Sequence, residues 1–230
     1  MKWSDIKGVF NTHTLKVISV IPFSNGYLSV DLDADGLVWR PGEHGIFTFP
    51  GKEFSGRKWH AFSIASTPEE GIIRIGTRLS SPPSGFKQTL LDLKPNDTVA
   101  LRGPFGWYTL KDNNSPIVLI AGGTGITAAR AVLSQAEKSS QRKIHLVHLS
   151  SNGHLYQSDL SKKKSTSVDL HFLHDRDVAA RIIDDLAVEY GNNAYYYVSG
   201  PIEMNKQTIQ RLKTMHIKRK RIVVDPYFGY

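Results

Sequence analysis

The chain has 230 residues, with 29 Lys and Arg against 21 Asp and Glu, a formal charge of +8; 40% of residues are hydrophobic and 22% charged. That balance excludes broad disorder and allows one large domain or two of about 100–150 residues. Cysteine is absent, which excludes a disulfide framework, a thiolate zinc site, a Cys-ligated iron–sulfur cluster and a Cys nucleophile.

In chain order, Leu15 to Ile21 and Tyr27 to Leu32 are apolar runs around the turn Ser24-Asn25-Gly26. Strand patterns follow at Gly45 to Phe49, Trp59 to Ile64, Ile72 to Thr77 and Thr98 to Leu101, with a short helix at Phe86 to Leu93 ended by Pro95. Strands this dense predict a small antiparallel barrel or sandwich. The polar cluster Asp112-Asn113-Asn114-Ser115-Pro116 marks a boundary. Beyond it, strands at Ile117 to Ala121, Lys143 to Leu149, Val168 to Leu173, Ala194 to Val198 and Arg221 to Val224 alternate with helices at Thr127 to Lys138, Val178 to Tyr190 and Glu203 to Met215. This alternation predicts a parallel sheet covered on both faces. The expectation is a β domain over 1–111 and an α/β domain over 112–230.

No run reaches the roughly 18 apolar residues of a membrane span. Met1-Lys2-Trp3-Ser4-Asp5 lacks the apolar segment of a signal peptide. A cytoplasmic location is expected, or the cytoplasmic face of a membrane protein if the chain is a fragment. The charge asks for an anionic partner.

Ala121-Gly122-Gly123-Thr124-Gly125-Ile126-Thr127 joins a buried strand to a helix, and Gly123, Gly125 and Ala128 fit G-x-G-x-x-A. Such a turn lets a backbone approach a pyrophosphate at a helix N-terminus, although a plain strand-to-helix turn gives the same pattern. The acidic residue expected about 20 positions on is missing. His148-Leu149-Ser150-Ser151-Asn152 stands there instead. Ser150, with Arg176 past the third strand, suits a ribose or a 2′-phosphate.

Four further segments align with that turn. Trp59-His60-Ala61-Phe62-Ser63-Ile64-Ala65-Ser66 resembles the R-x-Y-[ST]-x-x-S flavin motif of the ferredoxin–NADP reductase family. Arg40-Pro41-Gly42-Glu43-His44, Gly103-Pro104-Phe105-Gly106, Ala121 to Thr127 and Val198-Ser199-Gly200-Pro201 resemble that family's P-G-[QE], G-P-x-G, G-G-T-G-I-[TA] and C-G-P turns, in its order. The resemblance implies an antiparallel flavin-binding β-barrel followed by a parallel-sheet nucleotide-binding α/β domain, with FAD and NADPH or NADH as cofactors. It implies hydride transfer to flavin and electron exit to an acceptor.

By resemblance, Phe62 packs on the isoalloxazine and Ser63 reaches its N5. His60 replaces the diphosphate-gripping Arg. It carries full charge only near or below its ordinary pKa of about 6.5, and Arg78, beside Thr77, is the substitute candidate. Gly85, Phe86 and Lys87 sit where the family's G-x-[ST] turn holds the FAD pyrophosphate, with Lys87 replacing the hydroxyl. Gly123, Thr124, Gly125, Ser199, Gly200 and Pro201 position the nicotinamide nucleotide, and Ser199 stands where the family often has Cys. A C-terminal aromatic, Phe228 or Tyr230, covers the flavin face as a lid.

His60-Ala61-Phe62-Ser63 is closest to the ferric reductase and NADPH oxidase branch. Two rival readings follow. One is the dehydrogenase half of a membrane ferric reductase or superoxide-generating NADPH oxidase; the other is a flavin- or nucleotide-binding module without turnover. Acceptors left open are ferric chelate, flavin, ferredoxin, flavodoxin, haem and oxygen. Nucleic acid is not expected, because the basic runs Lys162 to Lys164 and His216 to Arg221 accompany no reading element. No metal site is expected. The nine histidines show no compact cluster with carboxylates, and His145 and His148, three apart on a strand, face opposite sides. No G-x-S-x-G nucleophile elbow is present.

Overall fold

The computed structural model describes residues 3–138 and 142–225. The chain divides into two compact units, Met1–Trp107 and Tyr108–Tyr230.

The first unit holds β1 (Thr12–Pro22), β2 (Tyr27–Asp33), β3 (His44–Thr48), β4 (Trp59–Ser63), β5 (Ile72–Arg78), helix α1 (Gly85–Asp92) and β6 (Thr98–Phe105). The strands form one antiparallel sheet in the order β4-β3-β6-β1-β2-β5. Its two edge strands meet at a seam, where the Ala65 N–H donates to the Arg74 carbonyl at 2.7 Å and Ser66 Oγ donates to the Ile72 carbonyl at 2.6 Å. The barrel is therefore nearly closed, which removes most exposed edge. Leu15, Val17, Leu28, Val30, Phe47, Ile64, Ile73, Val99 and Leu101 fill it. Strand β6 runs past the expected end at Leu101, because His44 pairs with Phe105.

The second unit holds β7 (Ile117–Gly122), α2 (Ile126–Ala136), β8 (Ile144–Leu149), α3 (Gln157–Ser161), β9 (Val168–Leu173), α4 (Arg176–Tyr190), β10 (Tyr195–Ser199), α5 (Ile202–Thr214) and β11 (Ile222–Val224). All five strands are parallel, in the order β11-β10-β7-β8-β9. Every residue of β7 is buried, as a strand covered on both faces must be. The expected helices and strands are present within two or three residues of their expected ends; α3, only five residues long, is an addition.

The division falls at Trp107, ahead of the polar cluster at 112–116. Tyr108 is fully buried and meets the Tyr197 ring edge-on at 5.3 Å. The cluster itself is tied down: the buried Arg142 guanidinium bonds the Asp112 carbonyl, and its Nε donates to the Asn113 carbonyl at 3.3 Å. Among the described residues, no helix is long and apolar enough to cross a membrane.

Candidate functional site

The site residues fall into two sets, one on each unit. In the barrel, the turn before β3 is an internal tie. Arg40 donates to Glu43 through its backbone N–H (2.9 Å) and its Nε (2.8 Å), and reaches Asp5 at 3.2 Å and the Gly106 carbonyl at 2.9 Å. Glu43 is buried and spent on this network.

On β4, His60 and Phe62 alternate inward and are buried, while Ser63 is partly exposed. The Phe62 ring lies among Phe47 (5.7 Å), His60 (6.0 Å) and Phe86 (6.1 Å). Burial, then the cations Lys87 and Arg57, push His60 down to about 4. It is a neutral ring at physiological pH and cannot replace an arginine's charge.

Other cations lie near it. Helix α1 is capped by Ser84, whose Oγ accepts the Lys87 N–H at 3.4 Å. The amides of Gly85 and Phe86 precede the first intrahelical bond. Lys87 Nζ donates to the Arg78 carbonyl at 2.7 Å, and burial with Arg78 nearby lowers its pKa. Thr77 is buried and Arg78 exposed. The Arg57 guanidinium lies 4.9 Å from the Trp59 ring centroid. The charged groups that shift His60 and Lys87 are all cations. Three cations and a helix N-terminus therefore share one edge of the barrel, a donor set that fits a diphosphate. Gly85 is required there, because a Cβ would lie 2.4 Å from the Ser55 carbonyl oxygen. Arg57 and Ser84 were missed in the sequence, where nothing ties residue 57 to residue 87.

In the α/β unit, Gly123–Gly125 forms a tight turn between β7 and α2, at the C-terminal end of the sheet. Gly123 takes φ 53° and, with Thr124, is its partly exposed tip. Gly125 is buried against the next turn: a Cβ there would lie 2.1 Å from the Ser199 carbonyl oxygen. A Cβ on Gly200 would lie 3.0 Å from the Gly122 Cα. The two glycine turns thus pack back to back, and Pro201 caps α5 just beyond.

Ser199 is buried, and its Oγ donates to Asp225 Oδ2 at 2.8 Å. Its hydroxyl is engaged inside the unit. Phe228 and Tyr230 lie outside the described residues. Ser150 is buried, with its N–H donating to the Leu173 carbonyl at 3.0 Å; Arg176 is exposed at the start of α4.

A histidine cluster also missed in the sequence joins them. His148 Nε2 donates to the Gly123 carbonyl at 3.0 Å. Burial and the neighbouring His154 push His148 down to about 3, so its Nδ1 is a bare acceptor. His154 Nδ1, 3.2 Å away, must then be the donor. His174 Nδ1 donates to the Ser150 carbonyl at 2.5 Å. The only legible signal was that His148 lies near the end of a strand's apolar run and His174 just after one.

No family model matches the chain. Among solved structures, the ferredoxin reductase in carbazole 1,9a-dioxygenase superposes with TM-score 0.77 at 18% identity, covering 95% of this chain and 68% of that one. The Plasmodium falciparum ferredoxin-NADP+ reductase with 2′P-AMP gives TM-score 0.77 at 18% identity, covering 95% and 97%. The chain has the ferredoxin–NADP reductase-like fold. Among curated proteins, one subunit of the Na(+)-translocating NADH-quinone reductase of Marinomonas sp. (strain MWYL1) is 26% identical over 201 residues, covering 74% of this chain and 48% of that protein. The corresponding protein of Pseudomonas aeruginosa (strain UCBPP-PA14) is 27% identical over 200 residues, with the same coverage. The chain thus spans about half the length of these relatives. Within the reductase-like fold, the barrel is the first unit and the parallel sheet the second.

Proposed function

We propose that this reductase-like chain is an NAD(P)H-dependent FAD oxidoreductase that passes electrons to an external acceptor. The observation that carries it is the pair of phosphate-compatible helix N-termini: α1 with Arg57, Arg78 and Lys87 in the barrel, and α2 behind Gly123–Gly125 in the α/β unit. FAD, when bound, would supply the hydride-accepting and electron-releasing chemistry. The protein's residues bind and orient. Arg78, Lys87 and the Gly85 and Phe86 amides hold the flavin diphosphate, with Thr77 beside them. His60 and Phe62 supply apolar ring faces, and Ser63 a hydroxyl for charge that develops on the flavin. Gly123, Thr124, Gly125, Gly200 and Pro201 hold the nicotinamide nucleotide, with Ser199 and Asp225 stiffening the turn behind it. Ser150 and Arg176 serve the adenosine ribose, and Phe228 or Tyr230 the lid.

The relatives' names support an NADH or NADPH donor and a quinone- or ferredoxin-class acceptor. Their greater length favours a second reading, in which the chain is the dehydrogenase module of a larger membrane-associated system, haem-bearing or otherwise. Anaerobic addition of NADPH or NADH to FAD-reconstituted protein tests the main proposal. Bleaching of the flavin band is expected. No bleaching with either nucleotide would leave a flavin- or nucleotide-binding module without turnover.

A further inference from the structure

Spacing along the chain shows no compact histidine–carboxylate cluster; the sheet register builds one. Parallel pairing of β8 with β9 sets His145 opposite Asp169. His171 lies two residues further along β9, on the same face. His171 Nε2 is 2.9 Å and His145 Nδ1 3.9 Å from Asp169 Oδ2. The three ligand atoms all lie within 4.8 Å of one another. The linear sequence hides this, because one ligand comes from a neighbouring strand.

The first ligand is prepared for coordination. His145 Nδ1 is buried and makes no hydrogen bond, while Nε2 lies 3.0 Å from the Tyr190 hydroxyl at the end of α4. A proton on Nε2, donated to the Tyr190 oxygen, leaves the Nδ1 lone pair within reach of Asp169 and His171. A second ring nitrogen held by an outer partner is the pattern of metal-bound histidines.

Asp169 Oδ1 accepts the Leu170 N–H at 3.0 Å, leaving Oδ2 for the cluster. The C-terminal end of α4 adds partial negative charge and has no basic residue in its last turn. Lys143, just before β8, has its Nζ 2.9 Å from the Thr166 carbonyl.

We propose that His145, Asp169 and His171 form a binding site for a divalent first-row transition cation of the zinc class, held by two imidazoles and one carboxylate oxygen. Two nitrogens and one oxygen select zinc, cobalt, nickel or copper over calcium and magnesium. Bonds of about 2.0–2.2 Å place tetrahedral donors roughly 3.4 Å apart. The partly exposed Asp169 and His171 side chains need swing only about 1 Å to reach that spacing. The site lies at the start of β8 and β9, the opposite end of the sheet from the glycine turn. It clamps the edge strand β9 to β8 and α4, and it does not depend on the flavin proposal.

The test uses untagged, chelator-treated protein titrated with Zn2+ by calorimetry and with Co2+ by visible absorbance. Saturation near one equivalent is expected, with intensified cobalt bands. His171→Ala and Asp169→Asn should each weaken Zn2+ binding at least ~10-fold, and Tyr190→Phe by ~10-fold or more through the outer shell. His154→Ala, in the other histidine cluster, should retain wild-type affinity. Absence of saturable binding to protein with native circular dichroism overturns the proposal. So does Zn2+ affinity that survives His171→Ala or is lost in His154→Ala.

Discussion

The Ser199 hydroxyl donates a 2.8 Å hydrogen bond to Asp225, joining the end of β10 to the residue that follows β11, with both partners buried. Asp225 is held a second time, its N–H donating to the Val198 carbonyl at 3.0 Å. A buried carboxylate deprived of a donor bears the desolvation cost of its charge. Ser199→Ala should therefore lower stability by about 1–3 kcal/mol, read from the urea midpoint. Adding Asp225→Asn should recover part of that loss, because the charge is then gone. An unchanged midpoint in Ser199→Ala would show that the bond contributes nothing.

The cations at the barrel edge should govern flavin retention. Lys87→Ala and Arg78→Ala should each weaken FAD binding about tenfold, the scale of one charge-assisted hydrogen bond of ~1.5 kcal/mol. Raising the salt concentration should narrow the difference between wild type and variants, since Arg78 is exposed. Fluorescence titration of apoprotein with FAD measures this. Equal affinities across the set would move the diphosphate elsewhere.

Two glycines of one turn should separate under substitution. At Gly125 an added Cβ meets the Ser199 carbonyl oxygen at 2.1 Å, and backbone must shift. Gly125→Ala should cost at least ~2 kcal/mol of stability. Gly123 sits at φ 53° on the partly exposed tip. Gly123→Ala should cost only about 1 kcal/mol while weakening nicotinamide-nucleotide binding. Thermal melts and NAD(P)H titrations distinguish the two; matched losses in both variants would contradict this.

Acid should destabilise the protein ahead of its carboxylates. Burial holds His44 and His60 near 4 and His148 near 3, against an ordinary value of 6.5. Above pH 6.5 these rings are neutral in both folded and unfolded chains, so they make stability independent of pH. As pH falls from 6.5 toward 4, the unfolded chain takes up protons that the folded chain refuses, and stability declines. One such ring contributes a slope of up to about 1.4 kcal/mol per pH unit. The urea midpoint should fall steadily over that window, and His44→Gln should flatten the decline. A flat wild-type profile between pH 6.5 and 4 would refute it.

Apolar periodicity and turn residues were enough to read the barrel, the alternating second half and the glycine turn, because each is written within a short stretch of chain. What was not legible arises between strands. Nothing in the spacing of Glu43 announces that Arg40 and its network occupy it, and nothing near Ser199 announces Asp225. The His145–Asp169–His171 group depends on a register of two strands separated by a helix. The same holds for Arg57, which is placed near His60 and Lys87 by loop geometry alone. Phe62, which the resemblance puts against the isoalloxazine, is buried in the barrel core.

The glycine turns at 122–125 and 199–200 leave no slack between them. Two loops from distant parts of the chain therefore behave as a single jaw. Amide exchange at Gly123 and at Gly200 should report one shared opening event, and a lineage that alters one loop would have to alter the other in step.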